Sequence, residues 1–164
     1  MRNSTLCYIE RGGKYLMLHR VKKVNDQNKD KWIGIGGGFE EDESPEDCVR
    51  REALEETGLT LGDVVLRSVV TFVIDGGECE HMFLFKCRDF SGELSDCDEG
   101  VLEWIDKKAL YSLDLWEGDR IFLEKIENDG AFFSLKLVYA KDGTLLEAVE
   151  NGRTVLVSRN LDES

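Results

Sequence analysis

Between Gly37 and Leu59 the chain sets charged residues and glycines at fixed offsets: Gly37, five residues, Glu43, seven residues, Arg51-Glu52, then Ala53-Leu54-Glu55-Glu56-Thr57-Gly58-Leu59. Four carboxylates and an arginine around one short helix are the layout a divalent-metal phosphate site requires. Ser44 is a capping residue, Pro45 suits the first helical position, and Glu46 and Asp47 complement the dipole. With Gly58 as a left-handed stop, the spacing predicts a helix over Pro45 to Thr57. Glu52, Glu55 and Glu56 then stand at i, i+3 and i+4 and share about a third of the circumference. Val49 and Ala53 form an apolar stripe beside them, so the carboxylate row should lie at the edge of a buried face. Like charges so placed destabilise a helix by roughly a few tenths of a kcal/mol, a cost that a bound dication removes. Carboxylate oxygens suit Mg2+ or Mn2+, and Mg2+ is usually held by one or two protein carboxylates plus waters and substrate phosphates. Glu52 and Glu56 are the expected direct ligands, with Glu55 as a ligand or as support behind them. Arg51, four residues before Glu55, can grip a carboxylate in two-pronged fashion. In Gly34-Ile35-Gly36-Gly37-Gly38 a bare backbone can approach a metal or a phosphate.

Strands must present this helix. Thr5 to Glu10 and Lys14 to Val21 read as strands joined at Gly12-Gly13, followed by a polar loop from Lys22 to Lys31 and a glycine-rich turn opened by Trp32. Val64 to Ile74 and Cys79 to Cys87 are rich in β-branched and aromatic residues and flank the hairpin signal Asp75-Gly76-Gly77. Leu102 to Ile105 reads as a short strand, and Glu117 to Asn128 as a helix with apolar Ile121, Phe122, Leu123 and Ile126. Phe132 to Ala140 and Thr144 to Val149 complete the strands, with Val155 to Val157 as an edge.

The 164 residues, 41% of them hydrophobic, suit one domain over 1–164, and no linker or repeat divides them. No apolar run reaches the roughly 18 residues a bilayer span needs, and Met1-Arg2-Asn3-Ser4 is too polar for a signal peptide, so a cytoplasmic protein without a membrane partner is expected. Five cysteines without a C-x-x-C pair suggest neither disulfides nor zinc. A net charge of −13 argues against binding a nucleic-acid polymer, whereas a free nucleotide can arrive with its own metal ion. Lys14 to Lys31 is locally basic, six lysines or arginines against Asp26 and Asp30, and is a candidate attractor for a phosphate tail. His19 and His81 have no partner at metal spacing and read as residues packed on strands.

The motif from Gly37 to Leu59 resembles the signature of the Nudix hydrolases at every fixed position, with Ala53 small where a larger aliphatic is usual. Seven identities at background frequencies of roughly 7% make a chance match rarer than about one in a million. The resemblance implies an α+β chain folded as an α/β/α sandwich with a mixed sheet. It also implies Mg2+ dependence, with Mn2+ as the alternative, and hydrolysis of a nucleoside diphosphate linked to another group. On that basis a Gly36 carbonyl joins Glu52, Glu55 and Glu56 as a ligand. The general base in the family is a helix glutamate or an acid on a later loop. Glu56 is therefore expected as base, with Glu55 and Arg51 completing the catalytic set. Glu99 is the rival base and a further ligand, because related enzymes carry an extra metal-binding acid just before a segment like Gly100-Val101-Leu102-Glu103-Trp104.

Beyond that motif the chain resembles the branch that hydrolyses oxidised purine nucleoside triphosphates such as 8-oxo-dGTP to the monophosphate and pyrophosphate. Lys31-Trp32-Ile33-Gly34-Ile35-Gly36-Gly37 and Leu115-Trp116-Glu117-Gly118-Asp119 carry the likeness. It implies that Trp116 stacks on a purine, that Asp119 hydrogen-bonds its edge, that Phe72, Met82 and Thr5 line the pocket, and that Gly37 and Gly38 approach the substrate. Three positions depart: Ile33 replaces a base-contacting asparagine of animal members, Gly38 a common lysine, and Gly118 the first of two adjacent acids. Fewer polar contacts would discriminate less sharply between bases, so a broad nucleoside triphosphate or nucleoside-diphosphate-X pyrophosphohydrolase is the alternative. Markers of other branches are missing: Pro45 is the only proline, and Ile74-Asp75-Gly76-Gly77 stands where dinucleoside polyphosphate hydrolases carry a tyrosine. A nucleotide sensor without turnover is a further alternative, and the assembly expected is a monomer or a homodimer joined at an edge strand.

Overall fold

Two-residue alternation along the strands decides the layering. The computed structural model describes residues 1–157, and the last seven residues of the expected domain lie outside it. In chain order the elements are β1 (Arg2–Arg11), β2 (Lys14–His19), β3 (Trp32–Ile33), β4 (Ile35–Gly38), α1 (Pro45–Thr57), β5 (Thr60–Leu61) and β6 (Val64–Ile74). β7 (Glu80–Cys87), β8 (Phe90–Ser91), β9 (Val101–Asp106), α2 (Glu117–Glu127), β10 (Phe133–Tyr139), β11 (Leu145–Glu150) and β12 (Arg153–Val157) follow. The main sheet runs β12-β11-β10-β6-β7-β1-β2-β3, with β4 also on β1 and β9 on β2, while β5 and β8 pair separately. Among the described residues only β1 with β7 and β6 with β10 run parallel, so the sheet is mixed.

On one face Tyr8, Tyr15, Met17, Val70, Leu84, Leu135 and Leu137 meet Phe122, Leu123 and Ile126 of α2. On the other, Cys7, Ile9, Leu16, Leu18, Ile35 and Phe85 meet Val49 and Ala53 of α1. Successive side chains of β1, β2 and β7 therefore go to opposite cores, and the result is an α/β/α sandwich.

The limits of α1 coincide with the expected ones because its end residues encode them. Ser44 Oγ accepts from the Asp47 N–H at 3.0 Å while the Asp47 carboxylate accepts from the Ser44 N–H at 3.1 Å, and Gly58 takes φ 80°. β2 stops at His19, two residues earlier than expected, because the Arg20 side chain is drawn to Asp26 and Glu99. The glycine-rich segment is a strand instead of a turn: β4 pairs antiparallel with Ser4–Cys7 of β1. A Cβ on Gly36 would run into the Thr5 carbonyl, so a bare backbone is what admits the pairing. α2 ends at Glu127, where Arg67 donates to the carbonyls of Ile126 (3.1 Å) and Asn128 (2.8 Å) and Lys86 Nζ to that of Ile126 (3.1 Å). Both histidines are packed as expected, His19 on Trp32 with ring centroids 4.3 Å apart and His81 Nδ1 3.0 Å from Thr71 Oγ1. All five cysteines are free, and Cys79 alone among them is not buried. No helix among the described residues is long and apolar enough to cross a membrane.

Candidate active site

The C-terminal half of α1 lies over β4, so glutamates face glycines. A Cβ on Gly37 would stand 2.6 Å from the Glu52 carboxyl carbon. Glu56 is buried, and its Oε2 accepts from the Gly36 N–H at 3.2 Å. Burial, reinforced by the neighbouring Glu99 and Glu52 charges, pushes the Glu56 pKa up to about 9. Burial also raises Glu52, against the opposing pull of Arg51. Glu99, from the loop before β9, comes to the same place, where Arg20 Nη1 donates to it at 2.6 Å and Lys23 Nζ lies at 3.3 Å.

Arg51 organises the rim. It donates to both oxygens of Glu43 at 2.7 and 2.9 Å, to Glu52 at 2.9 Å and to the Gly38 carbonyl at 3.0 Å. Those bonds hold Glu43 down at about 2. The two-pronged partner of Arg51 is thus Glu43, not Glu55. Glu55 receives a single 3.2 Å bond, is 57% exposed and does not line the cavity, because its place on α1 turns it outward past the Val49 and Ala53 stripe.

A cavity of about 600 Å3 joins this acidic end to an apolar one. Gly36, Gly37, Gly38, Glu52, Glu56 and Glu99 line the first, and Leu6, Ile33, Phe72, Met82, Trp116 and Tyr139 line the second. A separate depression of about 460 Å3 beside Asp142, Gly143 and Leu156 contains none of the α1 carboxylates. No three acidic, histidine or cysteine side chains among the described residues close into a ready-made ion cage. The donor set nevertheless fits a hard dication that keeps waters and binds phosphate: Glu52, Glu56 and Glu99 face one open cavity.

At the apolar end the helical period puts Asp119 on the same face as Phe122, Leu123 and Ile126. It is 4% exposed, and burial pushes its pKa up to about 8, with only weak opposition from Lys31 and Arg120. Trp116 packs edge-on against Tyr139 with centroids 5.3 Å apart, and its indole N–H donates to Asn28 Oδ1 at 2.7 Å. Gly118 donates to the Tyr139 hydroxyl at 2.9 Å, and any Cβ there would strike Leu137 and Tyr139, which explains why no acid occupies that position. Thr5 lines the cavity, but its hydroxyl is engaged with Cys48 Sγ at 3.4 Å.

Every expected residue except Glu55 and Arg51 therefore borders one cavity, and Arg51 acts from behind it. Sequence reasoning did not single out Arg20, Asp26, Asn28 or Tyr139, and gave Glu43 no role although it is a fixed position of the motif. The basic character of Lys14 to Lys31 pointed at this region, yet Arg20 is spent on Asp26 and Glu99 and Lys31 on Asp114 at 2.7 Å.

Residues 1–126 match the family described as the NUDIX domain. The uncharacterized Nudix hydrolase YvcI of Bacillus subtilis (strain 168) is 30% identical over 131 residues, 76% of this chain and 78% of that protein. The oxidized purine nucleoside triphosphate hydrolase of Danio rerio is 28% identical over 134 residues, 81% of this chain and 78% of its own. The crystal structure of a MutT protein from Bacillus halodurans superposes with a TM-score of 0.82 at 26% identity, covering 92% of this chain and 98% of that one. A family match across most of the chain, on a sandwich that turns the glutamates of α1 toward a glycine strand, makes this protein a member of the Nudix hydrolases, pyrophosphohydrolases that generally use divalent metal ions.

Proposed function

We propose that the protein hydrolyses purine nucleoside triphosphates, 8-oxo-dGTP foremost, to the monophosphate and pyrophosphate, with Mg2+ as cofactor and Mn2+ as its substitute. The observation that carries this reading is the single cavity with carboxylates at one end and Phe72, Trp116 and Asp119 at the other. Its volume of about 600 Å3 suits a base and a polyphosphate held together. The activity by which the Danio rerio relative is named, hydrolysis of oxidized purine nucleoside triphosphates, supports the same choice.

Glu52, Glu56, Glu99 and the Gly36 backbone are the groups that would hold the metal, which when bound neutralises phosphate charge and lowers the pKa of a coordinated water. Arg51 keeps the Glu52 carboxylate aimed at Gly37, so little reorganisation remains when substrate enters. Glu56 holds its proton in the metal-free site because of burial; ionised once a dication offsets that burial, it would accept the proton of the attacking water, with Glu99 as the rival for that role. The water oxygen forms a bond to phosphorus as the phosphoanhydride bond breaks, and pyrophosphate leaves. At the other end Trp116 stacks on the base, Phe72 lines the pocket beside it, and Asp119, neutral in its buried site, both donates to and accepts from the base edge. A broader substrate range is the second reading, favoured by Ile33, which lines the cavity without offering a hydrogen bond.

The test is metal-dependent pyrophosphate release from 8-oxo-dGTP, dGTP, pyrimidine triphosphates and ADP-ribose. The expected order puts 8-oxo-dGTP first, and Glu56→Gln should lower turnover by about 100-fold or more. Turnover within several-fold of wild type removes Glu56 as base and ligand. Equal rates across the triphosphates reject a dedicated role in clearing oxidised purines, and binding without release means a sensor.

A further inference from the structure

The loop between β2 and β3 places an unassigned carboxamide beside the base-stacking tryptophan. Asn28 is half-buried and lines the cavity with Trp116 and Asp119. Its backbone is held at both ends: its N–H donates to Asp26 Oδ1 at 3.0 Å and its carbonyl accepts from the Lys31 N–H at 2.8 Å. Asp26 is itself anchored by Arg20 at 2.6 Å. An indole N–H can only donate, so the 2.7 Å contact to Trp116 Nε1 fixes which way the Asn28 carboxamide is turned. Its oxygen is thereby turned to the indole, and its NH2 group has no hydrogen-bond partner among the described residues.

We propose that Asn28 is a specificity-determining residue whose NH2 group reads the edge of the bound base, selecting purines that present a carbonyl oxygen there over purines that present an amino group. A base stacked on Trp116 brings its edge within reach of whatever is bonded to that ring's N–H, and Asn28 is that group. Asp119 cannot make the same distinction, because a neutral carboxyl offers a donor and an acceptor at once. In the clamped amide the unpaired group is the NH2 donor, and a donor left facing an amino group loses its bond in a partly desolvated pocket. The asparagine absent at position 33 thus has a counterpart reaching the same cavity from the preceding loop. This inference rests on the purine reading of the site, but its test needs no turnover.

Calorimetric titration with dGMP and dAMP, which carry a 6-oxo and a 6-amino group, measures the base preference directly. Wild type should favour dGMP. Asn28→Asp keeps an oxygen for Trp116 and replaces the donor by an acceptor, so the ratio of the two dissociation constants should move by about tenfold or more toward dAMP. Trp116→Phe keeps a stacking ring but frees the amide to turn, and should bring the ratio toward unity. A purely structural role for Asn28 would weaken both nucleotides equally. An unchanged ratio in Asn28→Asp, or no purine monophosphate binding by wild type at millimolar concentration, overturns the proposal. A shifted ratio with no pyrophosphate release from any triphosphate would instead sink the proposed reaction and leave the role of Asn28 standing.

Discussion

Replacing Asp119 by asparagine should change how stability depends on pH, by an amount the burial of this side chain dictates. Its pKa lies at about 8 in the folded chain against an ordinary value of 3.8. Between those values the folded chain holds a proton that the unfolded chain has released, so stability falls as pH rises, by about 1.36 kcal/mol per unit. From pH 5 to pH 8, with the slope tapering near the folded value, the loss is about 3–4 kcal/mol. The amide of Asp119→Asn does not titrate, and its own cost of burial is the same at every pH. The gap in unfolding free energy between variant and wild type should therefore grow in the variant's favour by about 3–4 kcal/mol between pH 5 and pH 8. Glu56, also raised by burial, acts equally on both proteins and cancels. Urea unfolding followed by tryptophan fluorescence, in EDTA at both pH values, measures the gap. A gap that stays constant or shrinks with pH means that Asp119 is ionised in the native state and refutes the neutral acid assigned to the base pocket.

Two further substitutions test the metal end. Arg51→Lys keeps a charge but cannot reproduce the paired bonds to Glu43 together with those to Glu52 and the Gly38 carbonyl; isothermal titration with Mn2+ should show affinity reduced about 10- to 100-fold, and affinity equal to wild type would remove Arg51 as the organiser of the rim. Gly37→Ala forces a methyl against the Glu52 carboxylate, so Mn2+ affinity and turnover should both fall about tenfold or more while circular dichroism stays native; unaltered Mn2+ affinity would show that the close approach is not needed.

Legibility from sequence followed the range of the interactions involved. The limits of α1 were readable because Ser44, Asp47 and Gly58 act within a turn of the residues they cap. The burial of Asp119 was readable in principle from its period with Phe122 and Ile126. β4 was not, since three of its four residues are glycines and its pairing is specified by β1, some thirty residues earlier. Two-residue strands such as β3, β5 and β8 carry no periodic signal at all. Arg20 with Glu99 and Asn28 with Trp116 join residues 79 and 88 apart, so nothing local marks either pair. The departure at Gly118 was visible, but its cause lies in Leu137 and Tyr139 on β10.

Because β1 pairs in parallel with β7, the opening residues of the chain leave the ribosome long before their partner exists. At roughly 5–20 residues per second the wait from Arg11 to Cys87 is about 4–15 s. During it the run Leu6-Cys7-Tyr8-Ile9, which ends in the two cores, lacks its parallel partner although β2 and β4 are already made. Until Cys87 emerges, the edge of β1 that will receive β7 is open to pairing with another nascent copy, so synthesis order itself sets when the sheet can close.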